Sequence, residues 1–235
     1  MKTSSTTQYT AVQVPRQLEA NLIRKFALIN VEAICAIQQR ILLYAPQFLK
    51  STEDWTAEAT NGESIFWILV APNAISGSSS LEEGQWVGIC AMHGPLSAKQ
   101  YNFFGDAALA PVDGRLETRW IAGRLYIKPH HRSTEATNCL NRALEAFVNA
   151  RTQELLGLSD TIHGSAVARV QATAYYGTAA HQNHQANGLQ VVREVTRAED
   201  LAYDGLLEET PEGLLHDAEF RDPSGTLFEI IHHVS

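Results

Sequence analysis

The sequence predicts an α/β protein of the α+β kind, with strands and helices sharing one core in a single domain over residues 1–235. Three observations carry this reading. Both hydrophobic periods occur: "QYTAVQV" at 8–14 alternates, while Leu22, Phe26, Ile29, Ala33 and Ile37 recur at helical three-to-four spacing. Of the 235 residues, 45% are apolar and 19% charged, which supports a sizeable core and excludes disorder over most of the length. Finally, "RLYIKPHHRSTEATNCLNRALEAF", Arg124 to Phe147, runs from an apolar strand through a tight polar turn into a helix.

The elements follow in order. A first strand at 8–14 leads into the amphipathic helix, which is expected to continue, bent near Pro46, towards Leu49. The polar stretch "STEDWTAEATNGES" precedes "IFWILVAP", an apolar run short enough for a central strand. "NAISGSSSLEEGQ" reads as a flexible connection to the strand "WVGICAMHG". Residues 95–116 form a long loop whose Tyr101, Phe103 and Phe104 favour a folded lid. "ETRWIAGRLYI" is the strand entering the polar turn, and the next helix carries Ala136, Leu140, Ala143 and Phe147 on one face. Then come a strand near "AVARVQATAYY", a short helix "TAAHQNHQAN" closed by Gly188 at C′, the strand "LQVVREVT" and a last strand in "AEFRDPSGTLFEIIHHV".

Net charge is −8, from 18 basic and 26 acidic residues, which argues against unaided binding to nucleic acid or anionic membranes. The apolar segment 18–49 is broken by Arg24, Lys25, Glu32 and Arg40 and cannot span a bilayer. Cys35, Cys90 and Cys139 are far apart, with neither a disulfide framework nor a zinc pattern, and the N-terminus lacks the apolar core of a secretory signal. The expectation is a cytoplasmic protein, monomeric or homodimeric, acting on a small molecule.

The order of elements resembles the GNAT superfamily of N-acetyltransferases over nearly the whole chain. "LYIKPHHR" at 125–132 is similar to the family's fourth strand with its arginine-led turn, and "AAHQNHQANGLQVVREV" at 179–195 is similar to its last helix and following strand. The resemblance implies a mixed, mostly antiparallel sheet of about six to seven strands flanked by helices, with the long loops 95–116 and 196–217 near the cleft. It also implies acetyl-CoA as acyl donor, held by Leu125, Ile127, Arg132, Ser133, Thr134, Glu135, Ala136 and Thr137. There the amides of a helix N-terminus would receive the pyrophosphate.

The chain departs from the family where the cofactor would touch it. Glu135 and Thr137 replace the turn's glycines, Gly177 stands where an asparagine is frequent, and His184 occupies the place of a tyrosine that protonates the leaving thiolate. Leu189 stands where an aromatic usually follows the glycine. A carboxylate about 4 Å from a phosphate costs up to about 4 kcal/mol at an effective dielectric of about 20, roughly a thousandfold in affinity. Alternatively, Glu135 serves its own helix, where a first-turn acid contributes about 0.3–1 kcal/mol, with Ser133 or Thr134 as N-cap. The phosphate motif is thus degenerate, with Lys128, His130, His131 and Arg132 as compensating cations.

The resemblance places a general base at Glu117, provided burial raises its pKa, and His93 would point into the same cleft. Tyr175 and Tyr176 alternate in direction, so one should face the cleft, where either could be an acid or a wall. Tyr176 is the candidate catalytic residue of the two, and His184 is a candidate acid. A backbone N–H beside Ile127 would polarise the thioester carbonyl. His181 and His184 are spaced for a metal but lack a third ligand, so no metal is expected. The acidic stretch with Glu199, Asp200, Asp204, Glu208, Glu209 and Glu212 reads as a solvated connection, or as a gate for a cationic substrate. The implied activity is acyl transfer from CoA to an amine or hydroxyl of a small molecule, in the manner of secondary-metabolite biosynthesis. The alternative is a CoA-independent cyclase, isomerase or decarboxylase reusing the same cleft.

Overall fold

In the computed structural model, residues 8–38, 51–60, 62, 64–97, 116–157, 166–203 and 218–234 are described. In chain order the elements are β1 (Thr10–Gln13), α1 (Ala20–Gln38), α2 (Thr52–Thr60), β2 (Ser64–Ala71), β3 (Gln85–His93) and β4 (Leu116–Ile127). A 3₁₀ turn (Pro129–His131) leads to α3 (Thr134–Leu155), β5 (Ala166–Tyr175), α4 (Ala179–Ala186) and β6 (Gln190–Thr196). The chain continues through α5 (Arg197–Tyr203) and α6 (Ala218–Arg221) into β7 (Pro223–Val234). The strands form one sheet of seven in the order β1-β2-β3-β4-β5-β7-β6, mixed and mostly antiparallel as expected. The expected extension of α1 towards Leu49, the lid aromatics, and the acidic residues at 204–212 lie outside the described residues.

By its contacts the chain divides into two compact units, Met1–Met92 with Arg124–Leu144, and His93–Gly123 with Glu145–Ser235. In the first, the α1 stripe of Leu22, Phe26, Ile29 and Ala33 is buried. Phe26 meets Trp55 and Phe66 edge-on, at ring-centroid distances of 6.2 and 5.0 Å, over Ile68, Val70, Ile89 and Ala91 of the sheet. Edge-to-face pairs of this kind add to the burial of large rings.

Trp55 sits on a helix, α2, where a polar linker was expected. Only Trp55 and Ala59 of α2 are buried apolar residues, too few to register as a hydrophobic period. The helix announces itself at its start instead. Ser51 Oγ accepts the Asp54 amide at 3.1 Å, and the Asp54 carboxylate accepts the Ser51 amide at 3.1 Å. This reciprocal cap satisfies two donors that a helix end leaves open. Arg124, at the rare φ of +52°, adds a buried ion pair to Glu58 of the same helix and lies over the Trp55 and Phe66 rings at 5.9 and 5.6 Å.

In the second unit β5 is central. It pairs in parallel with β4 from Leu116↔Ala166 to Ala122↔Ala172, and antiparallel with β7 from Ala166↔Val234 to Tyr175↔Gly225. Parallel pairing therefore ends at Ala172, three residues before the strand does. β6 pairs antiparallel with β7 through register shifts at Val191/Arg193 and Val195/Thr196. Such bulges twist a strand and blunt its free edge.

Candidate functional site

The cradle belongs to the first unit and is made by the chain from Leu125 to Thr137. β4 ends at Ile127, and the Lys128 amide donates to Val87 O on β3 at 2.8 Å. Of the amides beside Ile127, this one is therefore bound within the sheet and is no oxyanion donor. Pro129 begins the 3₁₀ turn, and the His131 amide closes onto Lys128 O at 2.8 Å. Arg132 folds back, its Nε donating to Ile127 O at 3.0 Å. Ser133 is the N-cap of α3: its Oγ accepts the Ala136 amide at 3.2 Å, and its carbonyl accepts the Thr137 hydroxyl at 3.1 Å.

Ser133, Thr134 and Glu135 are exposed while Ala136 is fully buried, so the helix end opens to solvent and is anchored from below. The Thr137 amide is bonded to Ser133 O at 3.1 Å, and the amides of Thr134 and Glu135 come too early in the helix for an intrahelical acceptor. Lys128 and Arg132 bring positive charge to the turn. Lys128 Nζ is paired with Glu32 at 3.0 Å, and His131 hydrogen-bonds Tyr9 Oη at 3.3 Å. Burial, then the neighbouring His130 and Lys128, push His131 down, keeping it neutral. This donor set fits a phosphate anion. The exposed Glu135 can turn into solvent, which reduces its cost towards the dielectric of water.

The second unit holds a polar face. Glu117 and Arg119 on β4, Arg169 and Gln171 on β5, and Glu229 on β7 alternate with apolar neighbours, so one face of the sheet collects them. Arg169 Nε and Arg119 Nε both donate to Glu117 Oε1 at 2.8 Å, and Arg169 Nη1 donates to Glu229 Oε1 at 2.5 Å. Gln171 Nε2 donates to Glu229 Oε2 at 3.2 Å. Glu117 was expected to act as a general base with its pKa raised by burial. Its carboxylate is only 6% exposed and is shared by two guanidiniums, which cannot take or relay a proton.

Beyond Ala172 the same face continues with Thr173 and Tyr175. Thr173 Oγ1 and Tyr175 Oη donate to the two carboxylate oxygens of Asp200, on α5. Asp200 is 5% exposed, and its carboxyl is pushed up by burial, partly offset by these two hydroxyls and by Arg197. The Arg197 guanidinium lies 4.9 Å from the centre of the Tyr175 ring. The expected acidic connection is therefore a helix here. Glu199 caps its start by accepting the Thr196 amide at 2.8 Å, and Asp200 faces inward rather than towards solvent.

The remaining candidates are dispersed. Tyr176 is 45% exposed and donates to Glu194 Oε1 at 2.6 Å, which pushes its phenol up and makes it a weaker acid. His184 packs on the Phe228 ring at 5.3 Å; burial, then the adjacent His181, push it down to about 4. At pH 7 only about one molecule in a thousand carries the imidazolium that proton donation requires, so the acid role expected of His184 does not fit. His181 Nε2 is held by Thr226 Oγ1 at 3.0 Å. Among the described residues no group of three or more His, Cys, Asp or Glu could hold a metal. His93 is half-buried at the end of β3. Gly94 follows at φ +138°, where a β-carbon would lie 2.8 Å from Arg119 O and from the Trp120 ring.

Arg119, Arg169, Gln171, Thr173 and Glu229 were not singled out from the sequence, although a signal existed, and Tyr175 and Asp200 were named but not paired. In "ARVQATAY", polar or hydroxyl-bearing residues occupy 169, 171, 173 and 175. A strand that is polar at every second position yet apolar enough to be central implies a satisfied polar network on one face.

No protein-family model matches this sequence, and no curated protein matches it closely enough to count as a relative. Solved structures do. Arabidopsis thaliana NAA60, in complex with a bisubstrate analogue, superposes at a TM-score of 0.50 with 12% identity, covering 96% of this chain and 100% of its own. An acetyltransferase-like protein of Acinetobacter baylyi ADP1 superposes at 0.52 with 13% identity, covering 98% of this chain and 97% of its own. Likeness at these identities lies in the arrangement of strands and helices, and this chain has the fold of the GNAT acetyltransferases.

Proposed function

We propose that this protein transfers an acyl group from acetyl-CoA to an amine or hydroxyl of a small molecule, as in secondary-metabolite biosynthesis. The observation that carries the reading is the open start of α3, where exposed first-turn residues sit on buried Ala136 beside Lys128, His130 and Arg132. The amides of Thr134 and Glu135, with the Arg132 side chain, would hold the pyrophosphate, and Leu125 and Ile127 would line the path of the pantetheine. Bound acetyl-CoA would supply an activated thioester carbonyl. The fold it shares with NAA60, whose structure contains a bisubstrate analogue, supports this reading.

On the acceptor side, a neutral nucleophile must lose a proton as it is acylated. His93 and Glu117 were the expected bases, and Glu117 is paired with Arg119 and Arg169. The alternative, a CoA-independent cyclase, isomerase or decarboxylase, is favoured by one observation: an anion, Glu135, already occupies the first turn. One titration separates the two readings. Acetyl-CoA should raise the melting temperature of the full chain, because a ligand binding only the native state at about 100 times its Kd stabilises it by about 2.7 kcal/mol. No shift at millimolar acetyl-CoA would favour the alternative.

A further inference from the structure

We infer that Arg124 is a positioning residue for the acetyl-CoA site. Clamped by Glu58 of α2, it sets the direction in which β4 delivers Leu125, Ile127 and the cradle. The inference rests on the acyl-transfer reading above, and every residue it uses lies in the first unit. Three observations support it.

The first is that Arg124 carries two local costs. Its φ of +52° is left-handed inside a strand, a conformation that glycine adopts freely and other residues adopt at a penalty. Gly123 stands one position earlier, yet the left-handed residue is the arginine. Its Nε is also buried with no hydrogen-bond acceptor among the described residues. Such costs persist only where the surroundings over-determine them, and they gather at functional sites.

The second is what over-determines Arg124. Its Nη1 pairs with Glu58 Oε1, with little of either side chain exposed, and the guanidinium lies over the Trp55 and Phe66 rings. Glu58 and Trp55 both belong to α2, so this helix grips one residue of β4 through a charge pair and a ring.

The third is place. Arg124 immediately precedes Leu125, and β4 ends three residues on, at Ile127. Arg124 and Tyr126 face the core that holds Trp55 and Phe66, where Tyr126 is buried, so Leu125 and Ile127 face the other way. Just beyond, the Lys128 amide is fixed to Val87 O, and a β-carbon at Gly88 would lie 2.8 Å from Tyr126 O. The segment 125–127 is therefore short and pinned at both ends. A slip at Arg124 would turn Tyr126 out of the core and carry the cradle out of line.

The test is calorimetric titration of the full chain with acetyl-CoA, at a temperature where circular dichroism shows each variant folded. Arg124→Gly adopts the left-handed conformation without strain but cannot pair with Glu58, and it should weaken binding about tenfold. Glu58→Gln should weaken it by a similar factor. The double variant removes both charges, so it keeps the test intact where a single variant fails to fold. It should weaken binding no further than Arg124→Gly alone, because the two residues act as one unit. Arg124→Lys, which keeps a cation for Glu58, should recover most of the lost affinity. A readout free of ligand is hydrogen exchange of the Lys128 amide, which should quicken about tenfold in the double variant while the β1–β2 ladder keeps its protection. Wild-type acetyl-CoA affinity in the double variant would overturn the inference. So would exchange that quickens equally in the β1–β2 ladder, the result expected of a merely structural role. Absence of acetyl-CoA binding by the wild type would remove the acyl-transfer reading and this inference together.

Discussion

The turn after β4 and the polar face of β5 are built on different length scales. In the cradle Arg132 reaches back five residues to Ile127, and Ser133 caps an amide three residues ahead. On the polar face Arg169 bonds Glu117 across 52 positions and Glu229 across 60. The first region can be written in any sequence window with a strand, a cap and an amphipathic helix. The second exists only once β4, β5 and β7 have paired. The two should therefore respond differently to substitution: the polar face through stability, the cradle through ligand affinity.

The largest expected effect tests the polar face. Arg169→Ala would leave Glu117 and Glu229 buried without their shared partner, and removing one member of a buried pair typically costs about 3–5 kcal/mol. Urea unfolding measures this, and a loss below about 1 kcal/mol would mean that water reaches these carboxylates.

The next concerns α4, in the same unit. The folded-state pKa of His184 is depressed to about 4 from an ordinary 6.5, so the folded state disfavours the charged form. The sign follows: this stability is fully present above pH 6.5 and is lost as pH falls from 6.5 towards 4. His184→Phe, which keeps a ring against Phe228, should flatten the pH dependence of unfolding in that window. An unchanged slope would assign it to other groups.

Smaller effects are expected at the cradle. Glu135→Gln removes an exposed anion from the helix start, and at the dielectric of water such a charge costs about 1 kcal/mol near 4 Å, or about fivefold in acetyl-CoA affinity. A thousandfold gain would mean that Glu135 points into the phosphate site. Ser133→Ala should cost about 1 kcal/mol of stability through loss of the N-cap, seen as a lower melting temperature. Glu135→Gln should act mainly on the ligand and Ser133→Ala on the fold, which separates the cradle's two duties.

The same contrast explains what could be read from the chain. The order of strands and the stripe of α1 follow from local periodicity, and Gly188, at φ +81°, ends α4 in the left-handed conformation expected at C′. α2 escaped because Trp55 and Ala59 alone face its core, although the Ser51–Asp54 cap marks its start. α5 escaped because its first turn, "RAED", looks solvated until β5 supplies Thr173 and Tyr175 to Asp200. Glu117 was located correctly on β4, but its partners come from two positions along β4 and from β5, and no local window contains both. His184 was assigned by counting from Gly188, and counting does not reveal that Phe228 lies beneath it.

The most direct test of the central claim, that the open start of α3 still receives a pyrophosphate, is calorimetric titration of the full chain with acetyl-CoA at two salt concentrations. Saturable binding that weakens as salt rises and tightens about fivefold in Glu135→Gln is the predicted result. No binding at millimolar acetyl-CoA in either the wild type or Glu135→Gln would contradict it.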